Sequence, residues 1–146
     1  MRKFTFLMIA IFMSSMAALQ AQDDETAIKQ VIQSAYIDGI HNLGNIADIE
    51  KGFHPGFNLL IKNQNQELIK YPIYNWIESV KKRKAEHPNG PDEKTTVEFV
   101  DIDITGDAGM AKIDLFRGGK KIYTDYLFLY KFGEDWQIVS KVYHGY

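Results

Sequence analysis

The chain has 146 residues with a formal net charge of −2, of which 45% are hydrophobic and 25% charged. That length is enough for one domain with its own core, and the composition argues against global disorder. The absence of cysteine excludes disulfides, zinc–thiolate and iron–sulfur sites, a thiol nucleophile and a thioether lipid anchor, and the mild acidity argues against a nucleic-acid partner.

Arg2 and Lys3 precede an apolar run from Phe4 to Met13, followed by small residues ending at Ala17, Ala18 and Ala21. A basic end, a short apolar stretch and a small-residue cleavage site are the layout of a secretory signal. Residues 1–21 are expected to be removed after Ala21, leaving 22–146 as one domain, periplasmic or secreted. The run is too short for a spanning helix, so no membrane is expected after signal removal. Loss of Arg2 and Lys3 takes the formal charge from −2 to −4.

Ile28, Val31, Ile32, Ala35, Tyr36, Gly39, Ile40 and Leu43 recur at three- and four-residue spacing, which predicts a first helix stopped by Gly44. Asn45 caps a short second helix over Ile46 to Lys51, closed by Gly52. Phe53-His54-Pro55-Gly56 is expected to break the chain. Phe57 to Lys62 and Glu67 to Tyr71 read as a hairpin, and Pro72 opens a third helix with Ile73, Trp76, Ile77 and Val80 on its apolar stripe. His87-Pro88-Asn89-Gly90-Pro91 ends that helix.

Strands follow. Val97 and Phe99 share one parity and Val100, Ile102 and Ile104 the other, which predicts a bulge. Ala111, Ile113 and Leu115 form the next strand, and Gly118-Gly119 makes a tight hairpin. Lys121 to Phe132 is apolar on both parities, the pattern of a central strand covered on both sides. Trp136 to His144 is the last strand. Helices followed by four consecutive antiparallel strands indicate an α+β fold.

Four segments, Phe53-His54-Pro55, Asp101 to Ala108, Thr124-Asp125-Tyr126-Leu127 and Trp136 to Lys141, resemble the NTF2-like superfamily, most closely its small exported lumazine-binding and SnoaL-like branch. The resemblance covers the chain from the first helix to the last strand. It implies a cone, with a curved antiparallel sheet wrapped around a long helix and a pocket between them. It also implies homodimers formed through the outer sheet face. Enzymes of ketosteroid-isomerase type and non-catalytic binding modules share the cone, so the fold does not fix the function.

Within the cone, Tyr36 is either a hydrogen-bond donor in the pocket or a core tyrosine satisfied locally. His54, near the expected mouth, is either an acid or base or the fastener of its turn. Asp125 shares parity with Tyr123, Leu127 and Leu129. It is therefore a carboxylate in apolar surroundings that needs a partner, unless it lies at a solvated strand end. Trp76 and Phe53 are packing residues or walls of the pocket. Asp101 and Asp103 read as a wet strand face. Lys81-Lys82-Arg83-Lys84 reads as a solvated helix end. The four histidines lack ligand spacing, and neither a phosphate-binding glycine loop nor a nucleophile elbow is present, so no metal or cofactor is expected.

The leading expectation is a non-catalytic module binding a small apolar or heterocyclic ligand, with Tyr36, Phe53, His54, Trp76 and Asp125 around it. The alternatives are a cofactor-free isomerase or dehydratase, using Asp125 or His54 as acid or base with Tyr36, and a dimerisation or partner-binding module using Tyr126, Phe128 and Tyr130.

Overall fold

A computed structural model describes residues 22–146. The expected secretory signal, residues 1–21, lies outside the described residues. The first helix, α1, is α-helical over residues 22–31 and continues as a π-helix over Ile32–His41. It is followed by α2 (Ile46–Gly52), β1 (Phe53–Lys62), β2 (Leu68–Pro72), α3 (Ile73–Glu86), β3 (Thr95–Thr105), β4 (Ala108–Arg117), β5 (Lys120–Phe132) and β6 (Asp135–Gly145).

The apolar stripe of α1 forms the axis of the core. Ile28, Ile32, Ala35, Tyr36, Ile37 and Ile40 are buried against Ala111, Ile113, Leu115, Leu127, Leu129 and Ile138 of the sheet. The helix is wider than expected in its second half, because the pattern of 32, 36 and 40 is compatible with either helical pitch. Its end also differs from expectation. The residue with positive φ is Leu43, at 58°. Gly44 is needed instead for close approach, since a Cβ there would lie 2.6 Å from the Asp38 carbonyl oxygen. The start of α1 is clamped to the β5–β6 hairpin. Asp24 Oδ1 accepts from Lys131 Nζ at 2.7 Å and from Trp136 Nε1 at 2.9 Å.

The six strands form one sheet in the order β2-β1-β6-β5-β4-β3. The last four are antiparallel neighbours, as the sequence indicates. The β1–β2 hairpin joins this meander through a parallel pairing of β1 with β6, so the sheet is mixed rather than wholly antiparallel. The expected break at Phe53 to Gly56 is instead the start of β1. Phe53 pairs with Ile138, and the register then shifts before Asn58 pairs with Ser140. Pro55 and Gly56 are accommodated in that irregular stretch, where no continuous ladder needs their amides.

Bulges bend the sheet. The register of β3 against β4 shifts between Phe99 and Asp101, where a bulge was expected, and Val100 is exposed as the extra residue rather than facing inward with Ile102 and Ile104. A second shift falls between Phe128 and Leu129 of β5, opposite Ser140 and Ile138 of β6, so Val139 is the extra residue. β5 lies within the sheet, but only one of its faces is covered among the described residues. Tyr126, Phe128, Tyr130 and Phe132 are exposed on the other, contrary to a strand buried on both sides. The two-sided apolar pattern reports greasy surface; it does not say that this chain itself supplies the cover.

Candidate functional site

Two wholly buried polar side chains meet at the centre of the cone. Tyr36 comes from the π-helical part of α1 and Asp125 from the inner face of β5. The Tyr36 hydroxyl donates to Asp125 Oδ2 at 2.5 Å. A third group completes the cluster. Lys141 of β6, 4% exposed, forms an ion pair with Asp125 Oδ2 at 2.9 Å and also donates to the Tyr36 hydroxyl. Asp125 Oδ1 is buried and has no hydrogen-bond partner among the described residues.

The bulge on β6 creates this site. Trp136 and Ile138 point inward on even numbers. Past the extra residue Val139 the inward side chains are Lys141 and Tyr143 on odd numbers. An unbroken alternation from Trp136 would put Lys141 on the outer face, which is why a sequence reading does not place it with Asp125. The only trace is the change of parity between Ile138 and Tyr143.

Aromatic rings surround the ammonium. Lys141 Nζ lies 4.8 Å from the centroids of Tyr36 and Tyr143, 5.7 Å from Trp76 and 5.8 Å from Tyr123. These cation–π contacts offset part of the cost of removing a charge from water. Burial pushes the Lys141 amine below its ordinary range, against the opposing pull of Asp125. Burial, and then the Asp125 charge, holds the Tyr36 phenol well above its ordinary value, so it acts as a donor.

The structure brings together four of the five residues expected at the site. Trp76 sets its edge against Tyr36 at 5.9 Å and stacks on Phe57, and Phe53 meets Tyr36 edge-on at 6.2 Å. His54 does not join them. Its Nδ1 accepts from the Gly56 amide at 3.0 Å, and its ring stacks on Phe132 at 4.7 Å. Phe132 is seven residues along β5 from Asp125, a separation of about 23 Å in extended chain. His54 thus fastens its turn, and an acid–base set of His54, Asp125 and Tyr36 does not converge.

Four surface clefts among the described residues are lined by neither Tyr36, Asp125 nor Lys141. One apolar cleft of about 250 Å³, between α2, β1 and α3, is lined by Phe53, Pro55, Ile73, Tyr74 and Ile77 together with Glu50. Phe53 both lines it and meets Tyr36. Trp76 is half-buried and Tyr143 is 37% exposed, so these two rings form the thin side of the cluster's wall. No helix among the described residues is long and apolar enough to cross a membrane.

The family model described as "Putative lumazine-binding" matches residues 23–144. No curated protein matches the chain. Among solved structures, an NTF2-like protein of unknown function from Shewanella baltica OS155 is 22% identical, with a TM-score of 0.65 over 85% of this chain and 94% of that one. An NTF2-like protein of unknown function from Silicibacter pomeroyi DSS-3 is 16% identical, with a TM-score of 0.67 over 86% and 98%. A domain with a cystatin-like fold from Nostoc punctiforme PCC 73102 is 11% identical, with a TM-score of 0.60 over 85% and 78%. These likenesses establish the fold. The family match spans nearly all described residues, and the chain belongs to the family described as "Putative lumazine-binding", with an NTF2-like, cystatin-like fold.

Proposed function

We propose that the domain binds a small ligand, apolar or heterocyclic in body, inside the cone and does not transform it. The observation that carries this reading is the buried Tyr36–Asp125–Lys141 cluster walled by aromatic rings, with Asp125 Oδ1 unpartnered. A buried acceptor without a donor costs about 1–3 kcal/mol, and a heterocyclic N–H would satisfy it while the ring packed on Trp76. The ligand enters by displacing Trp76 or Tyr143, or through the cleft behind Phe53. The family description supports a ligand of this class. The reading includes export: residues 1–21 act as the secretory signal, so the protein recovered from its host lacks them by mass.

The test uses the chain's two tryptophans. In a Trp136→Phe variant, fluorescence reports Trp76 alone, and titration with lumazine and a library of aromatic heterocycles is expected to give saturable quenching. Asp125→Asn should weaken that binding at least tenfold. Absence of quenching and of any thermal shift up to millimolar ligand would sink the proposal. The isomerase or dehydratase alternative is favoured only by the pairing of Tyr36 with Asp125. It predicts turnover of the bound compound, lost in Asp125→Asn.

A second reading concerns partners. The exposed row of Tyr126, Phe128, Tyr130 and Phe132, extended by Val142 on β6, supports a homodimer closed face to face over the outer sheet.

A further inference from the structure

A second cleft, of about 490 Å³, lies at the C-terminal ends of α1 and α3, where they meet the end of β4. His41, Arg83, His87 and Arg117 line it, together with Asp92 and Glu93 of the α3–β3 loop. Neither arginine takes part in any ion pair among the described residues. Each spends an N–H on a neutral oxygen: Arg83 on the Ile40 carbonyl and Arg117 on Thr95 Oγ1, both at 3.1 Å. A guanidinium carries five N–H donors in a planar fork, so most of the donors remain for another partner.

The arginines are also held in place. Thr95 is buried, and the Asn42 side chain binds its amide at 2.8 Å and its carbonyl at 3.0 Å, which fixes the hydroxyl that receives Arg117. Arg83 is tied to the last turn of α1. Two like charges thus line one cleft without an ion pair to either of its carboxylates, and burial together with the Arg117 charge lowers the Arg83 guanidinium from its ordinary value. The Glu93 carboxylate is tucked against the β4–β5 turn instead, where a Cβ at Gly118 would lie 2.7 Å from its Oε2. His41 adds an Nε2 that is buried and unpartnered. Its ring meets Tyr36 edge-on at 4.8 Å, so it also separates this cleft from the cone.

We propose that this cleft is a second binding site, gripping the compact oxyanion head of a small molecule, a carboxylate or a phosphate, between Arg83 and Arg117. A planar fork matches either oxyanion bidentately. The carboxylates of Asp92 and Glu93, which line the same cleft, repel further negative charge and so favour a single compact head group over an extended polyanion. The inference does not rest on a ligand in the cone.

The experiment is an amide NMR titration of the 22–146 domain with inorganic phosphate and, separately, with succinate, each against sodium chloride at equal ionic strength. Saturating shifts at Leu43, Asp92, Glu93 and Arg117 are expected for at least one of the two, at millimolar concentration or below. Which anion saturates first identifies the head group. Arg117→Gln should weaken binding at least tenfold, Arg117→Lys should restore part of it, and Lys120→Gln, which removes an equal charge outside the cleft, should change it less than twofold. Shifts that follow chloride equally, saturation by neither anion, or equal losses in Arg117→Gln and Lys120→Gln would each overturn the proposal. Arg117→Gln leaves the Arg83 bond to α1 intact, so the outcome does not depend on a variant that loosens the helix.

Discussion

Asp125 was legible as a carboxylate in apolar surroundings because it shares parity with Tyr123, Leu127 and Leu129, and the structure buries it completely. Lys141 was not legible, because one extra residue on β6 reverses the alternation on which its placement depends. His54 was expected at the cluster and is not there; its Nδ1 instead fastens the irregular start of β1. The Asp125–Lys141 pair has a measurable signature. Asp125→Ala should cost about 3–5 kcal/mol in urea unfolding, since it strands a buried ammonium. Adding Lys141→Met to it should recover most of that loss, and a single-variant cost below about 1 kcal/mol would mean that water already reaches the pair. His41 gives a pH signature. Burial, followed by the charges of Lys141, Arg117 and Arg83, lowers its imidazole to about 3 in the fold. The unfolded chain takes up that proton near pH 6.5 and the folded chain only near 3. The His41 contribution to stability is therefore complete above about pH 6.5 and falls through the window below it, by at most about 1.4 kcal/mol per pH unit. Urea midpoints at pH 7, 5 and 4 should fall less steeply in His41→Phe than in the unaltered protein.

At the scale of elements, the order and type of nearly every segment followed from periodicity and from proline and glycine punctuation. Two of the differences lie beyond what local sequence can encode. Ten residues cannot distinguish the α pitch from the π pitch by apolar spacing alone, so the π-helical half of α1 left no mark. The parallel pairing of β1 with β6 was invisible because the partners are about 80 residues apart and no local signal encodes which strands meet. The packing of α2 on α1 is a clearer case of sequence dictating geometry. A Cβ at Gly52 would lie 2.3 Å from the Ala35 Cβ and 2.9 Å from Val31 Cγ2, neither of which can rotate away from α1. Gly52→Ala is expected to destabilise the protein by about 1–3 kcal/mol through overpacking, measured by thermal or denaturant unfolding. A neutral effect would show that the two helices separate freely.

For the whole molecule, the exposed aromatic row of β5 is the feature that a single chain leaves unexplained. If two copies close over it, sedimentation should show a dimer at micromolar concentration. Phe128→Glu should then shift that equilibrium toward monomer by at least tenfold without lowering the monomer's helix and strand content by circular dichroism. A monomer in the unaltered protein would leave the face to another partner. The place of β6 in the sheet has a different consequence, which concerns the timing of folding. The strand made last among the described elements is not at an edge. It sits between the β1–β2 hairpin and the β5-β4-β3 meander and holds the two halves together. While a ribosome is still adding residues, the early hairpin therefore has α2 and α3 to pack on but no neighbouring strand to join, and Asp125 has no cation. The sheet is continuous, and its buried charge paired, only once β6 has been made, because the pairings that β6 supplies are distant in sequence from the hairpin.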